Sequence, residues 1–401
     1  MSGETNNIRD AVEAAPQAAA SAAADGRLAV LIAGGGVAAL ELALALHDLA
    51  PAQTDVTVVA PNHDFVYRPY AVREPFGYAP AARYPVDRIL QEAGAARVVD
   101  ELAWVDPAAK VLHTASGNQM PYGVLAIAIG AHARPRFAHA ITIDDAHLDE
   151  LMHGLVLDVE EGSVRRLAFV IPARMAWPMP VYELALMTAT RAYEMNVDVE
   201  ITIITPEESP LAIFGERASD AVEALLQGAG IMTITSAYAE VCSAGEITIE
   251  PGDRHVSADR IVALPELYGP AIRGIAAAKH GFIRVDRFGQ VPDCGPVFAA
   301  GDAVDFAVKH GGISSQQADV AARSIAVLAG TEIEREQFQP VLRGILLTGS
   351  APRYLSARIT GGHGFASEIS DSPTWSPVGK IAAKHLGPCL ASLDAGAAAS
   401  R

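Results

Sequence analysis

"RLAVLIAGGGVAALELALALHDLA", Arg27 to Ala50, decides the fold. Leu28–Ala33 is a continuous apolar run of strand length, the pattern of a parallel strand buried on both faces. Gly34, Gly35 and Gly36 follow, and a helix is expected from about Val37. The spacing is G-x-G-x-x-A, with Gly34, Gly36 and Ala39 at its three positions. Gly34 permits the tight turn, Gly36 lets a pyrophosphate approach the backbone, and Ala39 allows close helix–strand packing. The helix start at Val37 and Ala38 offers free N–H groups and a positive dipole end. A second strand is expected at Val56–Ala60. Strand, glycine loop, helix and strand in this order make a dinucleotide-binding unit; the competing reading is a glycine-rich turn in another α/β fold. An acid that would bind ribose hydroxyls is missing at the end of the second strand, where Ala60 and Pro61 stand. Asn62 or Asp64 is the nearest substitute.

The rest of the chain fits a globular protein of two or three domains. It has 401 residues, 50% apolar and 19% charged. A net charge of −17 disfavours nucleic acid and anionic lipid, which need clustered Lys and Arg. No run is long and apolar enough for a transmembrane segment. The first 26 residues lack the basic start and apolar run of a signal peptide, so a mobile tail and a cytoplasmic protein are expected. Cys242, Cys294 and Cys389 stand alone without metal-ligand spacing, so no metal is expected. A disulfide would need two of them within about 7 Å, Cα to Cα.

A second marker is "GPVFAAGDA", Gly295 to Ala303. Pro296–Ala300 reads as a short buried strand ending at Gly301-Asp302, and a helix follows over about Ser314–Leu328. An acid at such a strand end either bonds a sugar-like hydroxyl chain or caps a turn.

The two glycine motifs together resemble those of the two-dinucleotide-binding-domain flavoproteins, the pyridine nucleotide–disulfide reductase superfamily. "GGGVAALE" looks like the FAD pyrophosphate loop and "VFAAGDA" like the second FAD motif, whose acid, here Asp302, holds the ribityl chain. "LAIAIGAHARP", Leu125 to Pro135, looks like the interdomain crossover, with Gly130 at its turn. The segments "NHDFVYRPY", "SPLAIFGERASDAVEALLQGAGI", "KHGGISSQQADVAARSIA" and "PTWSPVGKIAAKHLGPCL" resemble sulfide:quinone oxidoreductases, flavocytochrome c sulfide dehydrogenase and type II NADH dehydrogenases. The resemblance implies an α/β fold of two Rossmann-like three-layer domains binding FAD. The FAD-binding domain would comprise 27–145 and 266–330. An NAD-like domain would span 146–265, and a C-terminal region covering the flavin would span 331–401.

"AFVIPARMAWPMPVYELALMTA", Ala168 to Ala189, falls where that family binds NAD(P)H. A strand at Leu167–Ile171, a helix at Tyr182–Ala192 and a strand at Glu200–Ile204 are expected, but the glycine loop is missing. Pro172, Pro178 and Pro180 have no N–H to offer a phosphate, and Trp177 and Met179 add bulk. Glu207 could serve a ribose only if the pyrophosphate were bound. The sulfide-oxidising relatives carry a Pro-rich loop followed by a Tyr-Glu pair here, which Tyr182-Glu183 matches. Yet the redox cysteines of those relatives are absent: the crossover has Gly130, Ala131 and His132, and the proline loop has no thiol. The quinone helix of type II NADH dehydrogenases is also altered, with only Gln316-Gln317 kept.

These readings imply a FAD-dependent oxidoreductase that passes electrons from a small-molecule donor to a quinone or protein carrier. The alternatives are an NAD(P)H:acceptor oxidoreductase and a non-catalytic flavin-binding module. Glu183 is the carboxylate candidate for proton transfer. Lys309 is a candidate charge near the flavin pyrimidine, and Trp177 either walls the flavin or packs the domain interface. His310 and His132 are candidate proton carriers. Arg68 and Pro69, with Tyr67, are expected on the benzenoid side, and Gly312 and Ile313 at the helix start facing the pyrimidine. The C-terminal region reads as short helices. Its stripe Ile381, Leu386, Leu390, Leu393 is thin for an interfacial helix, so a soluble or weakly peripheral protein is expected, with a homodimer allowed.

Overall fold

Two parallel five-stranded sheets carry the chain in the computed structural model, which describes residues 26–359 and 365–399. The expected N-terminal tail lies outside the described residues. In the first sheet the strand order is Val297–Ala299, Val124–Ile127, Leu28–Ala33, Thr54–Val59, Ala96–Val98. Every pairing is parallel. Leu28–Ala33 therefore sits in the middle, with chain connections leaving to both sides, so a crevice opens at its C-terminal end. Its apolar run is explained by burial on both faces. One face packs on the helix Val37–Leu49, where Leu40, Leu42 and Leu46 are fully buried; the other packs on Leu112, Leu125 and Val297.

The second sheet repeats the pattern in the order Ile141–Thr142, Arg260–Ala263, Arg166–Val170, Glu200–Ile204, Met232–Ile234. It begins at Ile141, ahead of the boundary expected at 146, because Ile141 and Thr142 pair with Val262 and Ala263. The two crossovers between the sheets pair with each other, His132–Arg134 antiparallel to Glu266–Tyr268. The helix after the proline loop runs over Met179–Glu194, earlier than Tyr182, with Pro178 capping it and Pro180 in its first turn. A first-turn proline removes an N–H that would have no partner within the helix.

The C-terminal region departs from the expected short helices. It forms an antiparallel sheet of Val341–Leu346, Arg353–Ile359 and Phe365–Ser370, then the helix Leu386–Ala399. Leu342, Leu346 and Leu355 close the core of the second sheet. The stripe of Ile381, Leu386 and Leu390 is buried against the glycine-loop helix, with Leu393 packed beside it. These four residues are thus packed against the protein. Among the described residues no helix is long and apolar enough to cross a membrane.

Candidate active site

The crevice at the end of Leu28–Ala33 widens into a cavity of about 1140 Å³ that reaches the second sheet and the C-terminal segment. Gly34, Gly36, Val37, Ala38, Gly130, Gly301 and Asp302 line it, as do Arg68, Pro69, Trp177, Glu183 and Lys309. Three expected residues do not. Ala60 is fully buried in the core, and its carbonyl accepts from Arg97 Nε at 3.4 Å. Gly312 donates its N–H to His310 Nδ1 at 3.1 Å, and Ile313 lies in the core of the second sheet. The helix starts at Gly311 rather than Ser314, with His310 as its cap, and this takes both residues out of the cavity wall.

The dinucleotide end is built by backbone. Gly34 has φ of +125°, and a Cβ there would lie 2.2 Å from the Ala128 carbonyl oxygen, so only glycine fits. A Cβ on Gly36 would meet nothing within 4 Å; it would project into open space beside the loop. No side chain caps the helix at Gly36 and no acid sits in its first turn, so its first N–H groups are left for a ligand. At the other end Asp302 faces the cavity, with Ser314 Oγ donating to it at 3.2 Å. Burial pushes its carboxyl up, opposed by Lys309. Uncapped N–H groups for phosphates and a carboxylate for hydroxyls are the donor set that FAD needs. Of the acids lining the cavity near Ala60, Asp64 pairs with His63 at 2.7 Å, and Glu101 follows the end of the neighbouring strand Ala96–Val98.

The far end holds a buried ion pair. Lys380 Nζ lies 2.6 Å from Glu183 Oε1, and donates to Glu183 Oε2 at 2.8 Å and to the Pro69 carbonyl at 2.9 Å. Leu347 N–H donates to Glu183 Oε1 at 2.9 Å. Burial pushes Glu183 up and Lys380 down, each opposed by the other's charge. Tyr67 fixes the segment by accepting the Ile381 N–H at 2.9 Å, and burial pushes its hydroxyl up to about 12.

Lys309 is buried, not exposed. Its ammonium donates to the Val304 carbonyl and sits 4.0 Å from the centre of the Phe282 ring, and burial pushes it down to about 8. Trp177 borders the cavity and packs with ring centres 4.3 Å from His310 and 5.7 Å from Phe214. His310 lies at the start of its helix, as its cap. Burial pushes its imidazole down to about 4, and the Gly312 N–H keeps Nδ1 an acceptor. His132 borders the cavity and is exposed.

On the second sheet, the acid after the strand Glu200–Ile204 is also engaged by the protein. Glu207 is 5% exposed and turned inward, accepting from Tyr182 Oη at 2.6 Å and Thr205 Oγ1 at 3.0 Å. Burial pushes its carboxyl up to about 7. Its other oxygen, Oε1, is buried without a hydrogen-bond partner. The three cysteines are unpaired: Cys242 exposed, Cys294 buried, Cys389 half-buried, and none lines the cavity.

Sequence reasoning missed two cavity residues. Lys380 lies in the Trp-Pro…Lys-Ile tail noted by resemblance, but nothing local joined it to Glu183. Asp145 borders the cavity, where burial pushes its carboxyl up against the pull of Arg68; no motif marks it.

No protein-family model and no curated protein sequence matches the chain. Solved structures do. A sulfide:quinone oxidoreductase from Aquifex aeolicus is 19% identical, with a TM-score of 0.78 over 86% of this chain and 87% of its own. A ferredoxin reductase from Rhodopseudomonas palustris is 18% identical, TM-score 0.63, over 82% of each. An NAD-dependent persulfide reductase from A. fulgidus is 17% identical, TM-score 0.60, over 83% of this chain and 64% of its own. The chain shares its fold with these three structures. Within that fold, the glycine loop and Asp302 occupy the crevice of the first sheet, and the proline loop occupies the matching place on the second.

Proposed function

We propose that this protein is a FAD-dependent oxidoreductase that does not draw electrons from NAD(P)H at the usual site and delivers them to a quinone or a protein carrier. The observation that carries the reading is the inward-turned Glu207 behind the proline loop, at the place where the fold would bind a second nucleotide. Gly34–Ala38 would hold the pyrophosphate and Asp302 the ribityl hydroxyls. When bound, FAD supplies two-electron chemistry at its isoalloxazine ring.

The chain's residues provide the rest. Trp177 and Pro180 wall the cavity beside Glu183. Glu183 and Lys380 hold a proton at its edge, which suits a donor or acceptor that exchanges protons with its electrons. Lys309 adds positive charge near Asp302. The quinone or carrier would approach from the C-terminal segment that bears Lys380. The Aquifex aeolicus neighbour, a sulfide:quinone oxidoreductase, supports a quinone as acceptor.

The test is the absorbance spectrum of the purified protein, followed by anaerobic NADH and then NADPH. A flavin band that survives both additions but bleaches with another donor, and returns when a quinone is added, supports the reading. Rapid bleaching by either nicotinamide overturns it. No flavin band, even after FAD is supplied, overturns the cofactor assignment.

A further inference from the structure

Away from the large cavity, three side chains from three separate segments converge. Glu41 stands on the glycine-loop helix Val37–Leu49, Asp319 on the helix Gly311–Leu328, and His385 just ahead of the C-terminal helix. One oxygen or nitrogen from each lies within 4.8 Å of the other two.

Glu41 is fully buried, an expensive place for a carboxylate. It accepts the N–H of His385 at 2.9 Å, the N–H of Leu386, and Ser315 Oγ at 3.5 Å. These donors leave lone pairs unused, since a carboxylate accepts about four hydrogen bonds. Asp319 faces it, so two acids crowd one another, and burial with the charge of Glu41 pushes the Asp319 carboxyl up. Asp319 Oδ1 is buried and has no hydrogen-bond partner. His385 Nε2 lies 3.8 Å from that same oxygen. This is too long for a hydrogen bond. It is near the roughly 3.4 Å that separates two ligands of a tetrahedral ion with bonds of about 2.1 Å.

Among the described residues no cation forms an ion pair with Asp319 Oδ1 other than the 3.8 Å contact of His385. Lys384 stands beside it but is exposed and acts from a distance, and Arg323 is engaged by the Glu334 carbonyl at 2.6 Å and by Glu336 at 3.3 Å. A separate cavity of about 130 Å³, lined by Asp319 and His385, lies against the cluster and gives room for a water as fourth ligand. We propose that Glu41, Asp319 and His385 bind one divalent transition-metal ion of the zinc class. One imidazole with two carboxylates suits such an ion better than magnesium or calcium, which prefer all-oxygen shells. The ion replaces the proton that two adjacent acids must otherwise share. It ties the glycine-loop helix and the helix after Asp302 to the segment that carries Lys380.

The test uses the full chain after chelator treatment and dialysis. Co²⁺ titration should give a saturable visible band at one ion per chain, Zn²⁺ should displace it, and Zn²⁺ but not Mg²⁺ should raise Tm by a few degrees. Asp319→Asn and His385→Gln should each weaken Co²⁺ binding by roughly 10-fold or more. Glu41 is left in place because it also caps the C-terminal helix. Absence of saturable binding overturns the proposal, as does binding that survives both substitutions. So does a Tm that rises with Asp319→Asn and ignores Zn²⁺, which would mark a proton-sharing pair only.

Discussion

Lys380 and Glu183 form an ion pair at 2.6 Å with side chains only 7% and 2% exposed, joining the C-terminal segment to the helix behind the proline loop. Such a pair gives little net stability over an apolar replacement, but removing one partner strands the other. Lys380→Met should therefore cost about 3–5 kcal/mol. The double variant Lys380→Met with Glu183→Gln should recover part of that loss. Urea unfolding of the wild type, both single variants and the double variant measures the coupling; strictly additive effects would mean that the two groups do not interact.

Gly36 separates cofactor binding from folding. Its φ is −91°, an ordinary value for any residue, and a Cβ would touch no protein atom within 4 Å. Gly36→Val should leave Tm within a few degrees of wild type while flavin content falls by at least about 10-fold, because the side chain fills the approach to the free N–H groups. Gly34→Val, by contrast, collides with the Ala128 carbonyl and should damage the fold itself. Flavin absorbance per chain alongside thermal melts distinguishes the two.

The glycine loop was legible in the sequence because its requirements are local: a buried strand, a positive φ at Gly34 and an uncapped helix start fall within a few residues. The same holds for Asp302 at its strand end. Relationships across the chain were not legible. Glu183 and Lys380 are 197 residues apart, and neither neighbourhood names the other. Glu207 sits where a ribose-binding acid would, and only the packing of Tyr182 shows that it turns inward. The C-terminal strands read as helices because Val341–Leu346 does not alternate strictly; its last three residues, Gly344, Ile345 and Leu346, are all buried. Gly312 and Ile313 were expected ahead of a helix start at about Ser314, whereas the helix begins at Gly311 with His310 as its cap.

Glu207 and His310 should give opposite pH dependences of stability. The Glu207 carboxyl is raised from 4.5 to about 7, so its contribution is full below pH 4.5 and is lost as pH rises through 7. The His310 imidazole is lowered from 6.5 to about 4, so its contribution is full above pH 6.5 and is lost as pH falls through 4. Each is worth up to roughly 3 kcal/mol. Glu207→Gln should thus gain stability relative to wild type as pH rises from 5 to 8, and His310→Gln should gain relative to wild type as pH falls from 7 to 4. Melts across this range test both; parallel curves for wild type and variants would refute the assignments.

Tyr67 controls how firmly the Lys380 segment is held. Its hydroxyl accepts the Ile381 N–H at 2.9 Å beside the Lys380–Pro69 hydrogen bond. Tyr67→Phe keeps the ring and strands a half-buried backbone N–H, a loss of about 1–3 kcal/mol. The loss is local, because the helix Leu386–Ala399 stays tied through Glu41 to the His385 and Leu386 N–H groups. Amide exchange in Tyr67→Phe should therefore quicken over 379–384 while that helix keeps its protection. Unchanged exchange over 379–384 would show that Lys380 and Glu183 hold the segment without Tyr67. Loss of protection across the C-terminal helix as well would show that Tyr67 anchors the entire C-terminal segment.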